Sequence, residues 1–385
     1  MMRIEAEFLQ DSGLRRVLSA LNDAGHQALI VGGAVRNALL GERVVDVDIA
    51  TSALPEETRR LTEKAGLRAV PTGIDHGTIT VVAEGHGYEV TTFRRDVETD
   101  GRRAVVAFSD RIDEDAQRRD FTMNALYADA SGEVIDPVGG LPDLAARRLR
   151  FVGAPRARIT EDYLRILRFY RFHAWYGAAG KADPEALAAC ADLAAGLEGI
   201  SRERIGAEMR KLLAAPDPSE AVGLMAAAGI LARTLPGADA AHLPALIAAE
   251  NGTPSDWSCR LTLLAADDPA RYLRLSRDEE RQQEKLTEAA RLPLPEAAYR
   301  HGARIARLAA LIQTARGAPP APGWDAQIDR AAACRLPIAA RDLMPQITGP
   351  ALGEALRRAE SAYIASGFSL NRDELKRIAL EPSAI

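Results

Sequence analysis

Gly32-Gly33-Ala34-Val35-Arg36, followed ten residues later by Asp46-Val47-Asp48, is the stretch on which the reading of this 385-residue chain turns. A small-residue turn suited to phosphates stands ahead of two carboxylates placed i, i+2. If residues 44–49 form a strand, Asp46 and Asp48 project from one face. Val44-Val45 before them and Ile49-Ala50 after them read as buried strand. Two bare carboxylates in that setting repel each other unless a cation neutralises them. Mg²⁺ takes carboxylate oxygens and shares substrate phosphates, so it fits the demand. The chemistry suggested is two-metal transfer of a nucleotidyl group. Arg36, in the first turn of the next helix, is placed to reach a triphosphate over the helix N-terminus, where free N–H groups favour anions. The glycine pair matches neither G-x-x-x-x-G-K-[ST] nor G-x-G-x-x-G, and taken alone it also fits a closely packed strand-to-helix turn.

The bulk properties restrict the classes open to the chain. Its length suggests two or three domains, and its composition is that of a soluble globular protein. No run of about eighteen uncharged apolar residues is present, which argues against a transmembrane helix. The opening MMRIEAEFLQDSG carries acids where a signal peptide needs an apolar core. Cys190, Cys259 and Cys334 are far apart and odd in number, an arrangement expected in a reducing cytoplasm. A net charge of −5 does not advertise nucleic-acid binding, yet eight arginines fall between Arg147 and Arg171 against only Glu161 and Asp162. That segment reads as a phosphate-facing stripe or as a solvated helical surface.

The chain changes character near residue 140. Before it, β-rich runs at 28–31, 44–49, 77–82, 88–93 and 134–135 alternate with helical patterns at 12–25, 35–40 and 55–65. The pattern predicts an α+β domain with a mixed sheet. From residue 141 onward strand signals nearly vanish. Amphipathic helices are expected at 162–176, 184–194, 202–214, 219–228, 242–250, 255–264, 277–290 and 298–315. The Gly- and Pro-rich run 317–323 reads as a linker before the last helices.

Three further segments carry chemistry. Glu89, within Tyr88-Glu89-Val90-Thr91-Thr92-Phe93-Arg94, is the candidate third carboxylate of a two-metal site, although an exposed position on the polar side of a strand explains it too. Arg118-Arg119-Asp120-Phe121-Thr122-Met123-Asn124 offers two guanidinium forks for phosphates and an amide, Asn124, able to touch a ribose hydroxyl. Asp120 there also fits a helix cap, with Phe121 in the core. In Glu161-Asp162-Tyr163-Leu164-Arg165-Ile166-Leu167-Arg168-Phe169-Tyr170-Arg171, a helical projection puts Asp162, Arg165 and Arg168 on one side and Arg171 on the flank. This is either a surface ion pair or a protein template for a base. A carboxylate accepts from the exocyclic amine of C or A while arginine donates to ring acceptors, so such a pair selects those two bases together.

In this order the segments resemble the class II CCA-adding tRNA nucleotidyltransferase and bacterial poly(A) polymerase family, within the polymerase-β-like nucleotidyltransferases. Ile135-Asp136-Pro137-Val138-Gly139-Gly140 completes a dense match over 28–172, and Ser201-Arg202-Glu203-Arg204-Ile205 adds looser support. The resemblance implies a mixed-sheet catalytic head at 1–140 followed by an elongated all-α part. That part would divide into a neck at 141–215 with the template helix, a body at 216–316 and a tRNA-binding tail at 317–385. It implies Asp46 and Asp48 as ligands of a two-ion Mg²⁺ site, with Glu89 beside them. Gly33, Arg36, Arg119, Asp162, Arg165, Arg168 and Arg171 would contact CTP or ATP. The segment 96–108, with Asp100-Gly101-Arg102, resembles the family's flexible loop, thought to matter for the switch from C to A addition. The tRNA 3′ end would enter between head and neck. One departure stands out: Asn37 occupies the place where the family usually has Asp, which keeps hydrogen bonding and loses the charge.

The expected function is therefore template-independent addition of CCA to the tRNA 3′ end from CTP and ATP, with release of pyrophosphate. The sister activities, A addition alone or poly(A) synthesis, share these motifs. A non-catalytic RNA-binding protein is the reading from another class, opposed by the intact Asp46, Asp48 and template helix. A dinucleotide-dependent oxidoreductase is disfavoured by the glycine spacing and the missing βαβ repeat. No His-Asp dipeptide occurs, so no accompanying phosphohydrolase activity is expected. Oligomeric state is left open by the sequence.

Overall fold

The computed structural model describes residues 2–100, 103–252 and 256–381. It divides into two compact units, Met1–Thr234 and Leu235–Ile385.

The first unit opens with α1 (Ser12–Asn22), β1 (Ala28–Val31), α2 (Gly33–Leu40), β2 (Asp48–Thr51) and α3 (Pro55–Lys64). There follow β3 (Arg68–Gly73), β4 (Thr78–Ala83), β5 (His86–Thr92), β6 (Arg94–Asp100) and β7 (Arg103–Phe108). Next come α4 (Ile112–Gln117), β8 (Tyr127–Ala128), β9 (Val134–Ile135), α5 (Gly140–Ala145) and α6 (Pro155–Glu161). Then α7 (Leu164–Tyr176), α8 (Pro184–Asp192), α9 (Arg202–Leu213), α10 (Ser219–Ala227) and α11 (Ile230–Thr234) close the unit.

The main sheet has the order β3-β4-β5-β2-β1-β8-β9. Its pairings are antiparallel except β2 with β5, which run parallel with Ile49 beside Val90. The mixed sheet expected from the sequence is therefore present. Four apolar residues bury β1 completely, which is why its limits are readable from sequence alone. The strands β6 and β7 form a separate two-stranded sheet, and Gly101 and Arg102 lie outside the described residues.

Four local differences from the sequence reading have plain causes. Residues 44–47 are not strand: α2 ends on Gly41 in the left-handed region (φ 67°), the chain then runs as a loop, and Val45 is 76% exposed. The helix expected over 162–176 starts two residues later, as α7 (Leu164–Tyr176), because Asp162 is extended (φ −153°, ψ 103°) where α6 ends. Its carboxylate accepts from Leu164 N at 3.1 Å, so the residue that fits the helical stripe lies outside the helix, ending α6 and holding the first residue of α7. The strands β3 and β6 are rich in Arg, Asp, Thr and Gly, which hid them from an alternation test, and β7 falls in the segment expected as a loop. In the second unit, Gly302 (φ 87°, ψ 164°) splits the helix expected over 298–315.

Two features join the sheet to the helices that follow. Phe121 lies 4.9 Å from Phe151 and 5.3 Å from Phe172 between ring centroids, and Phe151 stacks on Phe169 at 5.7 Å. Phe121, Phe151 and Phe169 are fully buried, and aromatic pairs of this kind add about 1 kcal/mol each beyond area burial. Gly140, at the start of α5, is pressed against the chain: a Cβ there would lie 2.2 Å from the Thr122 carbonyl oxygen.

Among its described residues the second unit has helices and no strand: α12 (Leu243–Glu250), α13 (Trp257–Leu263), α14 (Pro269–Leu273), α15 (Arg277–Ala289), α16 (Leu294–His301), α17 (Ala303–Ala315), α18 (Trp324–Ala333), α19 (Pro350–Ala365) and α20 (Arg372–Leu380). A buried fork-to-fork pair ties α12 to α13, with Arg260 Nε donating to Glu250 Oε1 at 3.0 Å and Nη2 to Oε2 at 2.6 Å. Leu343, Ala355, Ala359, Tyr363, Leu375 and Ala379 build the C-terminal core. Among the described residues no helix is long and apolar enough to cross a membrane.

Candidate active site

The parallel pairing of β2 and β5 sets the carboxylates. One step before the Ile49–Val90 pair, Asp48 and Glu89 fall side by side, and register partners in a sheet face the same way. Asp46 lies in the loop two residues earlier, and all three side chains are exposed. The Asp48 carboxyl sits above its ordinary value of 3.8, chiefly through partial desolvation and then through the negative charge of Glu89. Asp46 adds to the effect and Arg119 opposes it. A crowded oxygen-only donor set that resists ionisation fits a hard divalent cation, which neutralises the repulsion. Among the described residues, no group of three or more His, Cys, Asp or Glu converges tightly enough to make a closed metal cage. Mg²⁺ needs no such cage when substrate phosphates and water complete its shell.

The glycine pair stands beside this edge. Gly32 is the N-cap of α2 with φ 69° and ψ −117°, a conformation that excludes side chains, and Gly33 is the first helical residue. A Cβ on Gly32 would lie 3.6 Å from Arg119 Nη1, and one on Gly33 would lie 3.6 Å from Arg36 Nη2. The helix N-terminus is thus flanked by two guanidiniums, a pattern suited to an anion.

Arg36 itself is buried. Its Nη1 donates to Asn124 Oδ1 at 2.5 Å and its Nη2 to the Tyr176 hydroxyl at 2.9 Å. Nε and Nη2 donate to Asn37 Oδ1 at 3.0 and 2.8 Å. The guanidinium carbon lies 4.0 Å from the Tyr176 ring centroid. Asn37 uses its amide in both directions, since Nδ2 donates to the Arg43 carbonyl at 2.9 Å and so steadies the loop leading to Asp46. An aspartate there would keep the bonds to Arg36 and lose that donor.

Asn124 is an internal bridge: Oδ1 accepts from Arg36 and Nδ2 donates to Asp120 Oδ1 at 3.0 Å. Asp120 also accepts from Phe121 N at 2.8 Å and from Arg168 through Nε at 2.8 Å and Nη2. Burial alone would raise its carboxyl, but Arg168, Asn124 and Phe121 N hold it below the ordinary range. Asp120 is therefore an ion-pair anchor for α7 and does not cap a helix. Arg171 completes the set, with Nε 2.7 Å from Glu208 Oε2 on α9 and its fork 4.3 Å from the Phe172 ring centroid.

The pair expected to read a base is assembled differently from the helical projection. Asp162, in the break between α6 and α7, accepts from Arg204 Nη2 at 2.7 Å. Arg165 Nη1 donates to Glu161 Oε2 at 2.5 Å and to the Arg158 carbonyl at 2.8 Å, not to Asp162. The structure thus gathers Asp46, Asp48, Glu89, Gly33 and Arg119 at one edge. It threads Arg36, Asn124 and Arg168 into one buried network, and sets Asp162 and Arg165 on separate partners. Sequence reasoning missed Tyr176, Glu208, Arg204 and Asp115. Only Asp115 carried a local signal, four residues before Arg119 on a helical spacing.

Comparison with known proteins gives a consistent set of likenesses. The model of the poly A polymerase head domain matches residues 28–150, and that of a probable RNA and SrmB-binding site of polymerase A matches 181–242. The CCA tRNA nucleotidyltransferase 1, mitochondrial, of Danio rerio is 44% identical over 211 residues, 54% of this chain and 49% of that enzyme. The CCA-adding enzyme of Streptococcus gordonii is 48% identical over 202 residues, 52% of this chain and 49% of that enzyme. The chain thus spans about half the length of the curated relatives it matches. The Bacillus stearothermophilus CCA-adding enzyme in complex with CTP superposes with a TM-score of 0.73 at 29% identity, covering 98% of both chains.

Proposed function

The chain belongs to the family of class II CCA-adding tRNA nucleotidyltransferases and bacterial poly(A) polymerases, and on that premise we propose that it adds C, C and A to the 3′ end of tRNA. The observation that carries the reading is the Asp48–Glu89 register, with Asp46 alongside, next to a glycine-led helix N-terminus flanked by Arg119. CTP and ATP are the proposed donors and the tRNA 3′ end the acceptor.

Asp46 and Asp48 would hold two Mg²⁺ ions, with Glu89 beside them as the third carboxylate. When bound, such ions supply charge neutralisation at the attacking hydroxyl and at the departing pyrophosphate. The chain's own residues do the rest. Gly33 and the free N–H groups of α2 seat the triphosphate together with Arg119, so the α-phosphate is held for in-line attack by the 3′-hydroxyl. The Asp162 carboxylate has lone pairs beyond those used by Arg204 and Leu164 N, which can accept from the amine of cytosine or adenine. Arg165 keeps Nε for a ring acceptor, while Arg36, Arg168 and Arg171 act from inside by fixing α2 and α7 as a frame around the nucleotide. Asn124 serves that frame.

The proposed division is a head at 1–140, a neck at 141–215, a body at 216–316 and a tRNA-binding tail at 317–385. A cytoplasmic setting agrees with three unpaired thiols at Cys190, Cys259 and Cys334.

The test is incubation of the purified chain with tRNAs ending at the discriminator base, at C and at CC, with CTP or ATP supplied separately. C must be added to the first two substrates and A only to the third. Failure to add C overturns the CCA reading, and long A tails on arbitrary RNA would transfer it to poly(A) synthesis. Tight tRNA binding without incorporation in Mg²⁺ or Mn²⁺ would leave an RNA-binding protein.

A further inference from the structure

A buried carboxylate stands beside the site. Asp115, on α4, is 1% exposed. Its Oδ2 accepts from the Tyr127 hydroxyl at 2.7 Å, from Arg119 Nη2 at 2.9 Å and from Arg119 Nε at 3.2 Å. Its Oδ1 accepts from Arg118 Nε at 3.2 Å and from the Arg94 backbone N at 3.3 Å, where β6 begins. The Tyr127 hydroxyl oxygen in turn accepts from Arg119 Nε at 3.0 Å. Carboxylate and phenol therefore grip the same edge of one guanidinium, and the Arg119 fork lies over the Tyr127 ring at 5.2 Å.

That grip has a directional consequence. With Nε and Nη2 committed, Nη1 is the nitrogen left over, and it is the one 3.6 Å from the position of a Cβ on Gly32. An arginine side chain ordinarily loses rotamer freedom when it is fixed on a ligand. Here the fixing is done before any ligand arrives, which strengthens binding by pre-organisation. The Asp115 carboxyl is well suited to the task. Although burial pushes it up, Arg119 and Arg118 hold it below the ordinary aspartate range, so it stays ionised.

We propose that Asp115 is a positioning residue for nucleotide binding: with Tyr127 it locks Arg119 so that Nη1 faces the phosphate seat at Gly32 and Gly33. The proposal rests on the nucleotidyltransferase reading above. Asp115 does not touch the nucleotide and acts only through Arg119, so removing it should cost affinity more than turnover.

The experiment uses the full chain as wild type, Asp115→Asn and Tyr127→Phe. Equilibrium binding of CTP and of inorganic triphosphate is measured without tRNA, then KM and kcat for C addition, and thermal unfolding alongside. Asp115→Asn should weaken both ligands about tenfold or more, since charge-assisted bonds are lost. KM should rise in parallel while kcat at saturating CTP stays within about threefold. Tyr127→Phe removes one oxygen of the grip and should weaken both ligands about threefold. A variant that melts earlier yet binds both ligands as wild type does would make the role purely structural and overturn the proposal. If Asp115→Asn does not fold, unchanged affinity in Tyr127→Phe overturns it equally. Wild type that binds triphosphate but never extends tRNA would refute the CCA reading while the triphosphate arm still decides the role of Asp115. Wild type that binds no triphosphate at all would refute the proposal itself.

Discussion

Asp46, Asp48 and Glu89 stand exposed at a strand edge, opposed mainly by Arg119, whereas Arg36, Arg168 and Arg171 lie inward with acceptors or anions against them. Both sets belong to the first unit. The acidic set is under-compensated, and a divalent cation would relieve its repulsion. The basic set is compensated by Asp120, Glu208, Asn124 and Tyr176, and that matching makes it a frame. On the proposed function, the unmatched charge serves the chemistry and the matched charge holds geometry.

Four measurements can break or sharpen this contrast. The largest effect is expected at the acidic edge: Asp46→Ala or Asp48→Ala should reduce nucleotide incorporation by a factor on the order of a thousand or more. Neither should lower the thermal midpoint, and a variant retaining near-normal incorporation would remove the metal assignment. Asp120→Ala should show the opposite balance. It strands Arg168 beside a buried gap and should cost about 3 kcal/mol in urea unfolding. A loss below about 1 kcal/mol would mean that the buried network is not the frame described.

The third test is one of sign. The Asp48 carboxyl is raised in the folded chain, so the folded state binds the extra proton. Asp48 therefore takes stability away as pH rises from the ordinary 3.8 through its folded value. The Asp120 carboxyl is lowered, so its contribution is present above 3.8 and lost as pH falls through its folded value. With divalent ions chelated, Asp48→Asn should gain on wild type as pH rises above about 4. Asp120→Asn should be the weaker protein there and converge with wild type at lower pH. Parallel profiles for the two variants would erase the distinction. The smallest effect is expected at Asn37→Asp, which strengthens the pairing with Arg36 and loses the bond to the Arg43 carbonyl. Stability should move by less than about 1 kcal/mol and activity by less than about threefold.

Much of this was readable from sequence where a local pattern carries tertiary consequence. The four apolar residues of β1, the glycine turn and the two aspartates located the end of the sheet on which the proposed chemistry rests. Patterns that serve two states misled. Val44-Val45 has the composition of a strand, yet the left-handed Gly41 has already turned the chain into a loop. Asp162 continues the helical stripe and lies outside the helix. Partnerships across long separations were invisible: nothing near Arg171 announces Glu208, and nothing near Arg36 announces Tyr176. The first exists only once α7 packs on α9, and the second only once the phenylalanine cluster holds α7 against the sheet.

The lone parallel pairing in the main sheet has a consequence for how this architecture tolerates change. Asp48 and Glu89 are neighbours because β2 and β5 run the same way, and the chain between them is a detour through α3, β3 and β4. Residues can be inserted or deleted in the turns of that detour without altering the register, provided β4 still pairs with β5. A single-residue slip between β2 and β5 would instead turn one carboxylate to the opposite face. Length variation between relatives should therefore gather in residues 52–85 and be absent from the few positions on either side of Asp48 and Glu89.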